Sequence, residues 1–598
     1  MNVLGPTLTH LFKNRIAYSR DKTAYKRKVN GLWEEVSFQE YRDFVEAICL
    51  ALMDAAIERQ DRIAILSNTR LEWALSDMGI LSAGAITVPI YQSSVEEEIR
   101  YILQNSAAKA IFVEDRDQLK KVLAVKNKLP QLKQIIVFKP GEDVSNPDQQ
   151  IFTFEQFCQQ GLRYKEKHQP DFGALLEITQ PEDIASIVYT SGTTGIPKGV
   201  VLTHRNFMSE LSDIAKSFDQ LGDSDTVLTF LPYAHILARI EHYCGLLYGW
   251  TAAFAEGIPQ LVDNLAEIKP TFMFSVPRIY EKVYNKIIGQ MESGSALKKA
   301  IFYWSLRIGK NVSRLRQEGF RLTPWLSLKY RIAKKLVFNK LHQKFGGRIR
   351  FFLSGGAPLS RDIAEFFHAA DILILEGYGL TETTAAIFLN REMNYEFGTV
   401  GQPLKDVEIK FNEDGEILIK SGKVFTEYYK NPEATREAFT QGWLRTGDIG
   451  QLTEKGNLKI TDRKKDIIVT SAGKNIAPQK IESQLKLDRH ISQIMVYGDR
   501  KNYLSALVTL NDEEIQKFAK EQGIPTNGNL HQKPEVKNLI RSIIEKNNAL
   551  LASFETVKKF TILKQDFSIE AGELTPSMKI RRKFCSQKYK DILEAMYD

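Results

Sequence analysis

Cysteine is nearly missing from this chain. Four stand in 598 residues, Cys49, Cys158, Cys244 and Cys585, too far apart to form a metal-type pair. Unpaired thiols fit a reducing compartment. A secretory leader is not expected either, since MNVLGPTLTHLFKNR has no continuous apolar stretch. Long apolar runs are absent. The longest uncharged run near the N-terminus, Met78–Val95, holds Pro, Gln and several hydroxyls, and reads as a buried helix end and a strand rather than a membrane span. Neither an internal repeat nor a low-complexity tract occurs. Acid is missing in one place. Between Lys298 and Arg350 the only acid is Glu318, against fifteen Lys or Arg, so this segment carries +14 in a chain of net charge +8 and leaves −6 for the rest. The basicity is local, and no recognition module accompanies it, so nucleic acid is not an expected partner.

With 43% hydrophobic and 26% charged residues, the chain is globular in composition and too long for one ordinary core. Two or more domains are expected. The first half alternates helical patterns such as SFQEYRDFVEAICLALMDAAI with short apolar runs: RIAILS (62–67), AITVPI (85–90), AIFVED (110–115) and QIIVFK (134–139). That alternation predicts an α/β domain with a largely parallel sheet. From about Thr399 the texture changes. VEIKFNEDGEILIKS predicts a hairpin turning at Glu413, Asp414 and Gly415, and GQLTEKGNLKITDR a second, turning at Lys455 and Gly456. After Asp462 strands and helices mix again, which sets an expected boundary between 1–461 and 462–598.

The most telling stretch is YTSGTTGIPKG, Tyr189–Gly199. Its glycines let backbone N–H groups approach an anion, its hydroxyls add donors and Lys198 adds charge. It is not a Walker loop: five places after Gly192 stands Pro197, and Gly199 follows Lys198. Further along come SGGAP (354–358), EGYGLTET (376–383), TGD (446–448) and ITDRKKD (460–466). Together, in this order and over nearly the whole chain, these motifs resemble the adenylate-forming family of AMP-dependent synthetases and ligases, which includes acyl-CoA synthetases and firefly luciferase.

The resemblance implies a large multi-layer N-terminal adenylation domain and a small mobile α+β C-terminal domain. It implies that Ser191, Thr193, Thr194 and Lys198 cradle the triphosphate of ATP. Gly355, Gly356, Ala357 and Pro358 would wall the adenine, together with Glu376, Gly377, Tyr378 and Gly379, with Tyr378 stacking on the base. Thr381 would bind the α-phosphate. Glu382, with Thr193, would hold Mg²⁺ through oxygen. Asp448 would take the ribose diol, and Arg463 the ribose or phosphate.

Near the C-terminus stands GELTPSMKIRRKF, 572–584. Many relatives have a Gly-Lys pair here; Met578 replaces the glycine and Lys579 keeps its place. The variant resembles long-chain acyl-CoA synthetases, and Lys579 is the implied catalytic lysine. LPYAHILARIEHYCGLLYGW (231–250) resembles the acyl-site motif of such enzymes, with His235 near the carboxylate; residues between Tyr243 and Phe254 would line a tunnel. His235 and His242, seven apart with no third ligand, are not a metal pair.

The implied activity is therefore ATP-dependent activation of a long-chain fatty acid to acyl-AMP and its transfer to coenzyme A, with a swing of the small domain about Lys465 between the steps and CoA meeting SAGKNIAP (471–478). An acyl-AMP ligase feeding a carrier-protein phosphopantetheine is the alternative. A fatty-acid-binding protein with a degenerate site is opposed by the intact Lys198, Glu382, Asp448 and Lys579. For the basic segment two readings stay open: helices lying on anionic lipid, which would put a cytoplasmic protein peripherally on the inner face of a membrane, or an insertion packed on the main domain.

Overall fold

The computed structural model describes residues 3–141, 150–190, 196–526, 528–575 and 578–598. Two large sheets dominate the N-terminal part. The first has seven strands in the order Ile151–Thr153, Gln134–Lys139, Ala110–Asp115, Arg62–Leu66, Ile86–Ile90, Ile184–Thr190 and Lys198–Thr203. All neighbours run parallel except the last pair, which is antiparallel. Each apolar run singled out in the sequence is one of these strands. Their near-continuous Ile, Val and Ala content follows from helices covering both faces. The helix Phe38–Asp54 is started by a capping box between Ser37 and Glu40.

The second sheet has nine strands, ordered Gln402–Pro403, Ala385–Leu389, Leu373–Leu380, Phe351–Ser354, Phe272–Ser275, Thr226–Thr229, Thr251–Phe254, Thr23–Val29 and Leu32–Ser37. Its middle is parallel and its ends are antiparallel. The two sheets are pinned by a buried polar knot. Arg239, on the helix Ile236–Tyr248, donates to Asp77 Oδ1 at 3.0 Å and to Ser186 Oγ at 3.2 Å, and the Tyr243 hydroxyl donates to Asp77 Oδ2 at 2.7 Å. Every member is fully buried and bonded to another member, and within the knot Arg239 Nε is left without a hydrogen-bond partner among the described residues. Tyr243 thus faces the core and not a tunnel.

Both expected hairpins form: Glu408–Phe411 pairs with Glu416–Lys420, and Trp443–Leu452 with Leu458–Arg463. The second hairpin runs through Asp462. Beyond it a smaller lobe is built on a three-stranded sheet of Ile491–Tyr497, Leu504–Leu510 and Val557–Ile562 with its own cores. The molecule is a large N-terminal domain with a smaller α+β C-terminal one. All four cysteines are free and buried. No helix among the described residues is long and apolar enough to cross a membrane.

Candidate active site

A cleft of about 3070 Å³ opens where the strand ends of both large sheets meet the C-terminal lobe. Its floor is SGGAP, which leaves the strand Phe351–Ser354. Gly356 there has φ +82°, a left-handed conformation that glycine adopts at no steric cost. Leu359 N–H donates to Glu376 Oε2 at 3.1 Å, which ties this loop to the strand Leu373–Leu380. Glu376 is buried, and burial pushes its carboxyl up to about 7. Gly377, Tyr378 and Gly379 continue the same strand along the cleft. At Gly379 a Cβ would lie 1.4 Å from the carbonyl oxygen of Ala385, so nothing larger than glycine fits.

The Tyr378 hydroxyl donates to Asp448 Oδ2 at 2.6 Å, and Arg463 Nε reaches Asp448 Oδ1 at 3.2 Å. Asp448 and Arg463 face each other in register across their hairpin. Burial raises the Asp448 carboxyl above its ordinary value, with Arg463 and Tyr378 opposing. Thr381 and Glu382 sit on a 3-10 turn that closes through Thr384 and Ala385, both at positive φ (55° and 95°). Such conformations cost energy in non-glycine residues and cluster where a side chain must be aimed. Glu382 Oε1 accepts from the Tyr428 hydroxyl at 2.7 Å, and Lys198 Nζ lies 5.2 Å from the centre of the Tyr428 ring. Tyr428 escapes sequence reasoning: it stands in the irregular stretch TEYYKNPEAT, with no periodicity or spacing to mark it.

Ser191, Thr193 and Thr194 lie outside the described residues. Their flanks, Thr190 and Lys198, end two antiparallel strands on the cleft wall. His235 is the N-cap of the helix Ile236–Tyr248, its Nδ1 accepting from Leu237 N–H at 3.2 Å. Burial, with the charge of Lys579 adding to it, lowers its imidazole to about 4, so it is neutral at ordinary pH. From that cap the helix runs inward, and Ile236, Ile240, Cys244 and Tyr248, at four-residue spacing, form one stripe lining the cleft. Trp250 and Phe254 extend this apolar arm.

The C-terminal lobe contributes Lys579. Its backbone N–H donates to Thr575 Oγ1 at 3.0 Å and its carbonyl accepts from Thr575 N–H at 2.8 Å. The side chain is open to the solvent of the cleft, yet protein surrounds it closely enough that lost hydration lowers its ammonium to about 8. Arg463 acts in the same direction, while Asp448 and Glu382 oppose it. One neighbourhood therefore joins Lys579, Arg463, Asp448, Glu382 and His235. The neighbouring Arg582 belongs elsewhere: it pairs with Glu482 inside its own lobe. Among the described residues no three His, Cys, Asp or Glu side chains converge as a metal cage.

Comparison with known proteins agrees with this layout. The AMP-binding enzyme family matches residues 12–429, and the AMP-binding enzyme C-terminal domain matches residues 465–598. The chain is 36% identical over 586 residues to the long-chain-fatty-acid–CoA ligase FadD15 of Mycobacterium bovis, covering 97% of this chain and 95% of that protein. It is 31% identical over 623 residues to the human long-chain-fatty-acid–CoA ligase ACSBG2, covering 99% and 92%. In fold it resembles the adenylation domain of a carboxylate reductase from Mycobacterium chelonae, with a TM-score of 0.76 at 22% identity over 99% of this chain and 91% of that one. The match to the AMP-binding enzyme family spans well over half of its length, and the chain belongs to that family.

Proposed function

We propose that this protein is a long-chain fatty acid–CoA ligase working in two half-reactions at the one cleft. In the first, the fatty acid carboxylate attacks the α-phosphorus of ATP, pyrophosphate leaves, and a mixed acyl-phosphate anhydride forms. In the second, the CoA thiol attacks the acyl carbon, its proton passes to solvent and AMP leaves. The names of the similar ligases support CoA as acceptor; nothing in the cleft favours a carrier protein.

The single observation behind the reading is the position of Lys579, facing Asp448, Arg463 and Glu382 at the mouth of an apolar arm. Lys579 would hold the attacking carboxylate against the α-phosphate as negative charge builds there. Lys198 and the loop 191–194 would take the outer phosphates, Thr381 the α-phosphate, Asp448 the ribose, and 355–358 with Glu376–Gly379 the adenine. His235, being neutral, would sit beside the carboxylate without competing for it as a second cation. The stripe from Ile236 to Tyr248 would receive the acyl chain. Glu382 would hold Mg²⁺, which when bound offsets phosphate charge. A lone carboxylate fits an ion that arrives on its nucleotide, since Mg²⁺ keeps substrate oxygens and waters around one or two protein ligands; Thr193 is the second expected ligand.

Lys579 must leave before the thiol enters, so we place a hinge at 462–465, with Lys465 as its pivot and 471–478 on the face that turns to CoA. A cytoplasmic enzyme working at the inner face of a membrane completes the reading. The test is thioester formation with CoA and with a phosphopantetheine carrier across short to long fatty acids. Thioester on the carrier alone would overturn the choice of acceptor. A lack of acid-dependent pyrophosphate release would overturn the activity.

A further inference from the structure

The basic segment folds into the helices Ala296–Gln317 and Pro324–Ala333, the latter continued by a π-turn, Lys334–Phe338. The inner faces are accounted for: Phe302, Val312, Tyr330, Ala333 and Phe338 are buried in a core shared with the second sheet. The expectation of an insertion packed on the main domain is met on that side.

The outer face of the second helix is apolar as well. Trp325 is 65% exposed, Leu328 46%, Ile332 44% and Leu336 44%. Their spacing of three and four residues sets them in one row, turned away from Tyr330 and Ala333. Lys329, Arg331, Lys335 and Lys340 flank the row. Of the fifteen cations between 298 and 350, Arg316 and Lys334 pair with Asp371 and Arg350 pairs with Asp225; the other twelve make no ion pair among the described residues. The one acid of the segment, Glu318, makes none either. Lys329 Nζ lies 5.1 Å from the centre of the Trp325 ring, and a surface helix that needed only solubility would carry alternating charges here, not an exposed apolar row between cations that make no ion pair among the described residues.

We propose that this face is a membrane-surface anchor: the row Trp325–Leu328–Ile332–Leu336 enters the boundary between headgroups and acyl chains of an anionic bilayer, and the flanking lysines and arginines meet lipid phosphates. The helix lies flat, since its inner face stays in the protein core. Charge complementarity selects the occupant. A surface with a dense net negative charge and an apolar layer beneath it matches both features, whereas a second copy of this chain would bring the same positive face and repel. The inference deepens the peripheral location proposed above and rests on that reading for its purpose, not for its geometry.

The test is co-sedimentation of the full chain with vesicles of phosphatidylcholine alone or mixed with phosphatidylglycerol, at low and high salt. Binding to the mixed vesicles is expected, falling steeply with salt because the Debye length shrinks to about 8 Å at physiological ionic strength. Trp325→Ser with Ile332→Ser should weaken partitioning on the order of tenfold or more at every salt, the loss of two buried apolar side chains. Lys329→Gln, Arg331→Gln and Lys335→Gln together should lower low-salt binding about fivefold per charge and flatten the salt dependence. Both variants should process a short soluble acid at the wild-type rate, which certifies their folding. Wild-type binding by both variants, or retention on neither vesicle at low salt, would overturn the anchor, as would capture by duplex DNA or self-association in place of vesicles. Loss of thioester formation in the wild-type chain would sink the ligase reading and leave the vesicle result standing.

Discussion

One wall of the cleft is held from behind by two sheets; the other is a loop. Glu376, Tyr378 and Asp448 hydrogen-bond to groups on neighbouring strands and loops, at 3.1 Å for Glu376 with Leu359 and 2.6 Å for Tyr378 with Asp448. The loop carrying Lys579 keeps its backbone bonds within its own lobe, to Thr575. Across the cleft the lysine acts on Arg463, Asp448 and Glu382 through charge. The difference fits a two-step reaction. Groups that position the nucleotide in both steps are best built in. A group wanted in one step and in the way in the next is best attracted at a distance, where no directional bond has to break for it to leave.

Removing the lysine tests that contrast most severely. Lys579→Ala should slow adenylation, read as acid-dependent pyrophosphate exchange, by roughly two or more orders of magnitude, the scale for a key electrostatic group. Thioester formation from pre-made acyl-AMP and CoA should continue nearly unchanged. An equal fall in both steps would show that the loop is as built-in as the opposite wall.

A substitution on that opposite wall should behave differently. Glu382→Gln keeps an acceptor for the Tyr428 hydroxyl but loses the charge that attracts a cation. Adenylation should fall on the order of tenfold or more and recover partly at raised Mg²⁺. An unchanged rate and metal dependence would remove Glu382 from the site.

The two walls should also separate by pH. Lys579 stabilises developing negative charge only while protonated, and its ammonium is lowered to about 8. Adenylation kcat/KM, which reports the free enzyme, should therefore be level at neutral pH and decline above about 8, reaching about a tenth of its plateau near pH 9. Glu376, held up near 7, titrates on the acid side of that limb, and His235, near 4, stays neutral throughout. Lys579→Arg, weaker overall, should lose the alkaline limb because its guanidinium stays charged. A limb that persists in the arginine variant belongs to another group.

How much of this was legible beforehand follows from the kind of signal. The parallel strands were, because RIAILS, AIFVED and QIIVFK are apolar on both faces and bounded by polar residues, and each is a strand in the fold. That the motifs SGGAP, EGYGLTET and TGD and the lysines Lys198 and Lys579 would meet was legible in part, and residues of each line one cleft. Tyr428 was not, since a lone tyrosine in an irregular stretch carries no pattern. Nor was the division of labour on the helix Ile236–Tyr248. Tyr243 and Cys244 are adjacent in sequence and about 100° apart on the helix, and only packing decides that one bonds Asp77 in the core while the other lines the cleft. The basic helices repeat the lesson. Their charge was plain, but with apolar residues on both faces the sequence could not tell the inner row from the outer.

The smallest predicted effect concerns the residue that departs from the common pattern. Met578 stands where many relatives carry glycine, and its φ is +63°, in the left-handed region that L side chains avoid. Its side chain is 58% exposed and adds no burial to offset the conformation. Replacing it by glycine would relieve roughly 1–2 kcal/mol of local strain. The same change loosens the unfolded chain, which costs about 0.4–1 kcal/mol. The difference favours the glycine variant by about 0–1.6 kcal/mol, so Met578→Gly should raise the melting temperature by no more than a few degrees. Adenylation should change by no more than about tenfold, because 1.4 kcal/mol is the scale of a tenfold change and the residual is about that at most. Met578→Ala keeps the strain without the added freedom and should match the wild type in both measurements. A large rate loss in the glycine variant alone would mean that the stiffness of this loop, and not only its charge, aims Lys579, and the contrast between a built wall and a loosely held loop would then have to be redrawn.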